Sequence, residues 1–170
     1  MMEFMKPFTV SFFGHREIDH FSAVADQTEE VIRQLLIQHP YVEFLVGRDG
    51  DFDQIVSSAI RCVKRQCGKE GCCHILVLPY LRAEYANNVE EYEAYYDEIE
   101  ICEESAAVHP KGAIRIRNRF MVDRSDLVIC YLEHDHGGAF QTVRYAEKIG
   151  KDIINIHCLL ENNRSKKEYR

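Results

Sequence analysis

At 170 residues, 46% of them hydrophobic, the chain has the length and composition of one domain with a proper core. A formal net charge of −7, from 21 basic and 28 acidic residues, excludes a basic surface over the whole molecule and leaves nucleic acid only a local patch. No stretch reaches the roughly 20 apolar residues that span a bilayer, Met1 to Pro7 lacks the apolar region of a secretory signal, and seven cysteines fit a reducing compartment; a cytoplasmic protein is expected.

Phe8 to Phe13 is a short apolar run stopped by Gly14, which predicts a buried strand. From Phe21 to His39, Val24, Val31, Ile32, Leu35 and Leu36 recur at helical spacing, and Pro40 ends the helix. Val42 to Val46 is the second strand. After the turn Gly47 to Gly50, the residues Phe52, Ile55, Val56, Ala59, Ile60 and Val63 form one apolar helix face, with Asp51 placed to cap its amino terminus.

The cluster Cys62, Cys67, Cys72, Cys73 and His74 lacks the paired C-x-x-C spacing that lets thiolates converge on zinc, so no metal site is expected. Cys62 is read on the helix, and the other three cysteines near the turn into the next strand, His74 to Leu78. Pro79 closes that strand. The acidic stretch Asn88 to Glu104, with Tyr92, Tyr95, Tyr96 and Ile99 among its carboxylates, predicts one solvated amphipathic helix, or alternatively a partner surface.

Lys111, Arg115, Arg117, Arg119 and Arg124 are interleaved with Ile114, Ile116, Met121 and Val122 before the apolar strand Leu127 to Leu132. The loop His134 to Gly138 follows, then a helix Gln141 to Ile149 ended by Gly150, a last strand Asp152 to His157 and a polar tail. Strands and helices alternate without a hairpin signal. The expected fold is α/β: a Rossmann-like three-layer sandwich of about five parallel strands with helices on both faces, one domain over residues 1–160 and a polar tail over 161–170.

In such a sheet, ligands bind beyond the carboxyl ends of the strands. Three loops fall there: Gly14-His15-Arg16, Gly47-Arg48-Asp49-Gly50-Asp51 and Gly137-Gly138. Glycines let a ligand approach the backbone, an arginine fork matches a phosphate, and helix amino termini attract anions. The pattern G-x-G-x-x-G is missing after the first strand, which argues against ordinary dinucleotide binding.

Phe13-Gly14-His15-Arg16, the Gly47 to Asp53 segment, Arg117-Asn118-Arg119-Phe120-Met121 before Ser125-Asp126, and Gly137-Gly138 with Thr142 together resemble the SLOG superfamily. This Rossmann-like group includes the Smf-type DNA-processing proteins and the lonely-guy phosphoribohydrolases, and the chain is most similar to its small, stand-alone bacterial branch. The resemblance implies a pocket for a nucleotide or nucleotide-derived ligand and a homo-oligomer, without a cofactor. Arg16 with Arg117 or Arg119 would pair with phosphate, Asn118 belongs to the same run, and Asp51 or Asp53 would reach ribose hydroxyls. Gly137, Gly138 and Thr142 would hold a phosphate near a helix start. The plainer alternatives are a surface charge for Arg119 and a helix cap for Asp51.

The expected function is an intracellular sensor or binding module for that ligand. One alternative is a phosphoribohydrolase acting on a nucleoside monophosphate. The family glutamate of P-G-G-x-G-T-x-x-E is absent: His136 replaces the proline, Tyr145 stands three after Thr142, and Glu147 points elsewhere on the helix. His15, Asp135 or His136 would then have to supply acid and base. The other alternative, single-stranded DNA binding of the DNA-processing type, rests on the basic residues from Lys111 to Arg124 and is opposed by the acidic run Glu90 to Glu104.

Overall fold

A computed structural model describes residues 5–168. The chain opens with β1 (Phe8–Gly14), α1 (Phe21–Gln38), β2 (Val42–Val46), α2 (Asp51–Cys67) and β3 (Cys72–Leu78). It continues through α3 (Ala83–Asn87), α4 (Val89–Tyr95), β4 (Glu98–Ile101), α5 (Glu103–Ala106) and α6 (Pro110–Arg124). β5 (Leu127–Tyr131), α7 (Gly138–Lys148), β6 (Asp152–Asn155) and α8 (Ile156–Glu168) complete it. The six strands form one sheet in the order β4-β3-β2-β1-β5-β6, and every pairing is parallel.

The strands read as continuous apolar runs because both sheet faces are covered. Val10, Phe12, Phe44, Val46, Leu76, Leu78, Ile129 and Tyr131 pack with Val24, Ile32, Phe52, Ile60 and Ile156 on the face of α1, α2 and α8. Their alternating neighbours Phe13, Leu45, Ile75, Val77 and Val128 pack with Met121, Val122 and Ala146 on the face of α6 and α7. This two-residue period puts one apolar layer on each side of the sheet.

The acidic stretch is not one helix. It divides into α4, the edge strand β4 and α5. Tyr92, Tyr95, Tyr96 and Ile99 do share a helical spacing, but Tyr96 turns extended, and Asp97 accepts the His74 N–H at 2.7 Å and pairs with Lys64. Pairing with β3 then wins over local periodicity, with Glu98-Ile99-Glu100-Ile101 alternating as an edge strand does. The sheet therefore has six strands where about five were expected. Tyr92 and Tyr96 are buried, so the tyrosines chiefly serve the core.

Several boundaries also differ. Cys72 and Cys73 lie within β3, which starts two residues ahead of His74, while α7 begins at Gly138 and β6 stops at Asn155. The segment expected to be a polar tail belongs to α8 as far as Glu168. Ile156, Leu159 and Leu160, at spacings of three and four, hold α8 against the core, and Asn163 Nδ2 donates to Gln27 Oε1 of α1 at 3.1 Å. Among the described residues, no helix is long and apolar enough to cross a membrane, and no cluster of three or more His, Cys, Asp or Glu is arranged to hold a metal ion.

Candidate functional site

After β1 the chain moves stepwise outward to β2, β3 and β4, then crosses back to place β5 on the other side of β1. The reversal leaves a crevice beyond the carboxyl ends of β1 and β5, where connecting loops diverge. A cavity of about 570 Å³ opens there. Its walls come from the β1–α1 loop, the β2–α2 loop, the β5–α7 loop and one side of α6.

Ten of the thirteen residues singled out from the sequence line this cavity: Gly14, His15, Arg16, Gly47, Gly50, Asp53, Arg117, Asn118, Gly137 and Gly138. Arg119, Asp51 and Thr142 do not. Arg119 is exposed, its guanidinium 4.8 Å from the centre of the Tyr145 ring. Gly50, rather than Asp51, is the amino-terminal cap of α2; Asp51 is the first helical residue, and its Oδ2 accepts the Ile18 N–H at 2.9 Å. The Asp51 N–H donates to the Arg16 carbonyl at 2.9 Å, so this loop contact occupies part of the α2 amino terminus.

Arg117 is buried, and its guanidinium is engaged by the protein itself. It donates to the Val77 carbonyl at 2.7 Å, to Asp49 Oδ2 at 2.9 Å and to Asn118 Oδ1 at 3.0 Å. Asn118 Nδ2 in turn donates to Thr142 Oγ1, which donates to the Gly138 carbonyl. A polar chain thus runs from the β2–α2 loop through α6 to the first turn of α7. Arg117 and Asn118 are in this respect a strut, because the polar groups of both are already paired within the protein.

Asp49 had been given no role from the sequence. Its carboxylate bridges Arg117 and Arg82, at 2.9 and 2.8 Å. Burial pushes the Asp49 carboxyl up, but the two guanidiniums outweigh burial and hold it below its ordinary value. Asp53 sits one helical turn on and accepts the Asp49 N–H at 2.7 Å. Burial pushes the Asp53 carboxyl up to about 6, although the Asp49 N–H and Arg117 pull the other way.

The glycines act differently in different loops. A Cβ on Gly14 would fall 2.4 Å from the Phe52 ring, one on Gly47 2.9 Å from Asp53 Oδ2, and one on Gly50 2.6 Å from the Arg16 Cα. These three admit the protein's own groups. Gly137, with φ +94°, and Gly138 have open space where a Cβ would stand, and α7 has no side-chain cap. The α7 amino terminus therefore presents its positive end and unpaired N–H groups at the cavity wall. Arg16, exposed on the β1–α1 loop, lines the same cavity and makes no ion pair among the described residues.

His15 is buried at the base of the crevice. Its Nε2 accepts the Glu133 N–H at 2.9 Å, which places the ring proton on Nδ1, and its backbone N–H donates to the Tyr131 carbonyl. Burial, and then the neighbouring His134, lower its pKa and favour the neutral ring. His134 stacks on His15 at 3.7 Å between ring centres, and His136 stacks on His134 at 3.8 Å. The His-x-His spacing at 134 and 136 is the sequence signal for this ladder, in which the sequence assigns a role to His15 and His136 but not to His134. Glu17, Asp19 and Glu133 also line the cavity, whereas Asp135 does not.

Tyr145 donates to Asp123 and Glu147 pairs with Arg144, and neither lines the cavity. The basic run is dispersed: Arg124 pairs with Glu43 and Glu100, Arg117 is buried, and Lys111 and Arg115 border a separate surface hollow. Across the β2–α2 loop a second cavity, of about 540 Å³, is bordered by Arg48, Tyr92, Tyr95 and Tyr96. Arg48 lies over the Tyr92 ring and donates to the Tyr96 hydroxyl.

The sequence matches no family model and no curated protein. Among solved structures, DNA processing protein A from Streptococcus pneumoniae is similar in fold, with a TM-score of 0.64 at 18% identity over 92% of this chain and 56% of that one. DNA processing protein A from Helicobacter pylori, in a structure concerned with its single-stranded DNA binding mode, gives a TM-score of 0.61 at 20% identity over 86% of this chain and 64% of that one. The chain thus spans less than two thirds of either protein.

Proposed function

We propose that the cavity binds one nucleotide unit carrying a single phosphate. The observation that carries this reading is the uncapped amino terminus of α7, opening beside Gly137 and Gly138 into a cavity that Arg16 also lines. Unpaired N–H groups, a helix dipole and an uncommitted guanidinium converge on a mono-anion or di-anion. Glu17, Asp19 and Glu133 on the same two loops, with Asp49 and Asp53 on the β2–α2 side, disfavour further phosphates and suit hydroxyl groups such as those of ribose. We read the site as one that binds without hydrolysing, since Tyr145 stands where the lonely-guy motif has its glutamate and turns to Asp123 outside the cavity.

The nucleotide has two sources. Single-stranded DNA has the support of the fold likeness to DNA processing protein A, one of whose structures addresses that ligand. A free nucleotide has the support of the net charge of −7 and the dispersal of the α6 arginines, which leave no continuous basic groove. The test is thermal stability with nucleoside monophosphates, beside anisotropy of a labelled oligonucleotide across a salt series.

A monophosphate at about 100 times its dissociation constant should add about 2.7 kcal/mol of apparent stability. Arg16→Ala should weaken whichever ligand binds by about tenfold, the worth of one charge-assisted hydrogen bond. Oligonucleotide binding that falls steeply with salt, without a monophosphate shift, assigns the site to a DNA strand. Absence of both sinks the proposal.

A further inference from the structure

We propose that the histidine ladder is the seat of a nucleobase, with the outer face of His136 as the stacking surface. This rests on reading the cavity as a nucleotide site. The rings of His15, His134 and His136 are stacked at 3.7 and 3.8 Å with interplanar angles of 14° and 19°. The ladder is anchored at its inner end, where His15 is buried and fixed through Nε2 by the Glu133 N–H. Its outer two rings are exposed, so apolar burial does not account for their alignment.

Near-parallel rings present a flat π face, and any base has a matching one. Among the described residues no other aromatic ring stacks on His136. All three histidines line the cavity, and α7 begins two residues after His136. A base on His136 and a phosphate at the first turn of α7 therefore belong to one nucleotide, spaced by its sugar. A purine covers more of the imidazole face than a pyrimidine and is the favoured base.

The test uses the whole chain and 2-aminopurine riboside monophosphate, whose fluorescence is quenched on stacking, with ribose 5-phosphate as the baseless competitor. The wild-type protein should quench the probe. His136→Ala should lose the quench and bind the probe about tenfold more weakly, with ribose 5-phosphate affinity unchanged, and His136→Phe should retain the quench. Because His136 is exposed, both variants should melt with the wild type.

An oligonucleotide containing 2-aminopurine forms the second arm. Quenching there but not with the monophosphate supports the base seat and names a DNA strand as its source. Binding without quench, or a His136→Ala variant that behaves as wild type, overturns the base seat and leaves the phosphate site standing. If the wild type binds the monophosphate, ribose 5-phosphate and the oligonucleotide not at all, both proposals fall.

Discussion

Arg117 is where the structure most changes the meaning of a single residue. A guanidinium singled out as a phosphate ligand lines the cavity and is at the same time the buried partner of Asp49 and the Val77 carbonyl. Arg117→Ala should destabilise the protein by about 3–5 kcal/mol in urea unfolding, because it leaves a partly buried carboxylate short of a partner and orphans a carbonyl. A variant unfolding with the wild type would sink that role. Asp53 makes a second prediction. Its carboxyl, at about 6 in the folded chain against an ordinary 3.8, keeps between those values a proton that the unfolded chain has already lost. Its contribution is full below about pH 4 and is lost as the pH rises through 6. Asp53→Asn should therefore gain on the wild type as pH rises from 4 to 7, by up to about 3 kcal/mol. A constant difference across that range would count against it. These residues show what was legible at this scale. The glycine loops and their sheet edge could be read from spacing, but whether an arginine is spent inside the protein depends on Asp49 and Val77, which only the fold brings to Arg117.

At the scale of elements, β1 and α2 meet where Gly14 faces Phe52. Phe52→Ala should cost about 3–5 kcal/mol for the ring it removes, and Gly14→Ala about 1–3 kcal/mol for the methyl group it forces against that ring. The double variant should lose less than the sum, since the new methyl occupies space the ring has left; a double-mutant cycle in denaturant would show strict additivity if the contact were unimportant. At the other cavity wall, Gly137→Ala should cost about 1–3 kcal/mol through its positive φ, whereas Gly138→Ala, with open space around it, should be nearly neutral in melting experiments. The runs Phe8 to Phe13 and Val42 to Val46 were readable as strands because burial on two faces leaves no polar interruption. β4 was not, since its tyrosine-rich approach has a helical period and its pairing partner, β3, lies some twenty residues earlier.

For the whole molecule, the parallel sheet could be foreseen from alternation alone, and the crevice followed from the direction of the strands. The role of the last helix could not, because residues 161–168 carry no apolar period of their own; Ile156, Leu159 and Leu160 ahead of them do the packing. Removing 156–168 should lower the melting temperature by several degrees and uncover α1, and an unchanged melt would show that α8 adds nothing to the fold. The crossing from β4 back to β5 also sets a clock. Thr9 and Asp126, which hydrogen-bond at the start of the β1–β5 pair, are 117 residues apart. At roughly 5–20 residues per second, a ribosome takes on the order of ten seconds to make the stretch between them. During that interval the inner edge of β1 waits unpaired and the wall that carries the histidines does not exist. A nascent chain therefore completes the crevice only once β5 and the loop after it have been made, and a message truncated before the β5 codons yields a protein with the first two loops of the cavity and no third to face them.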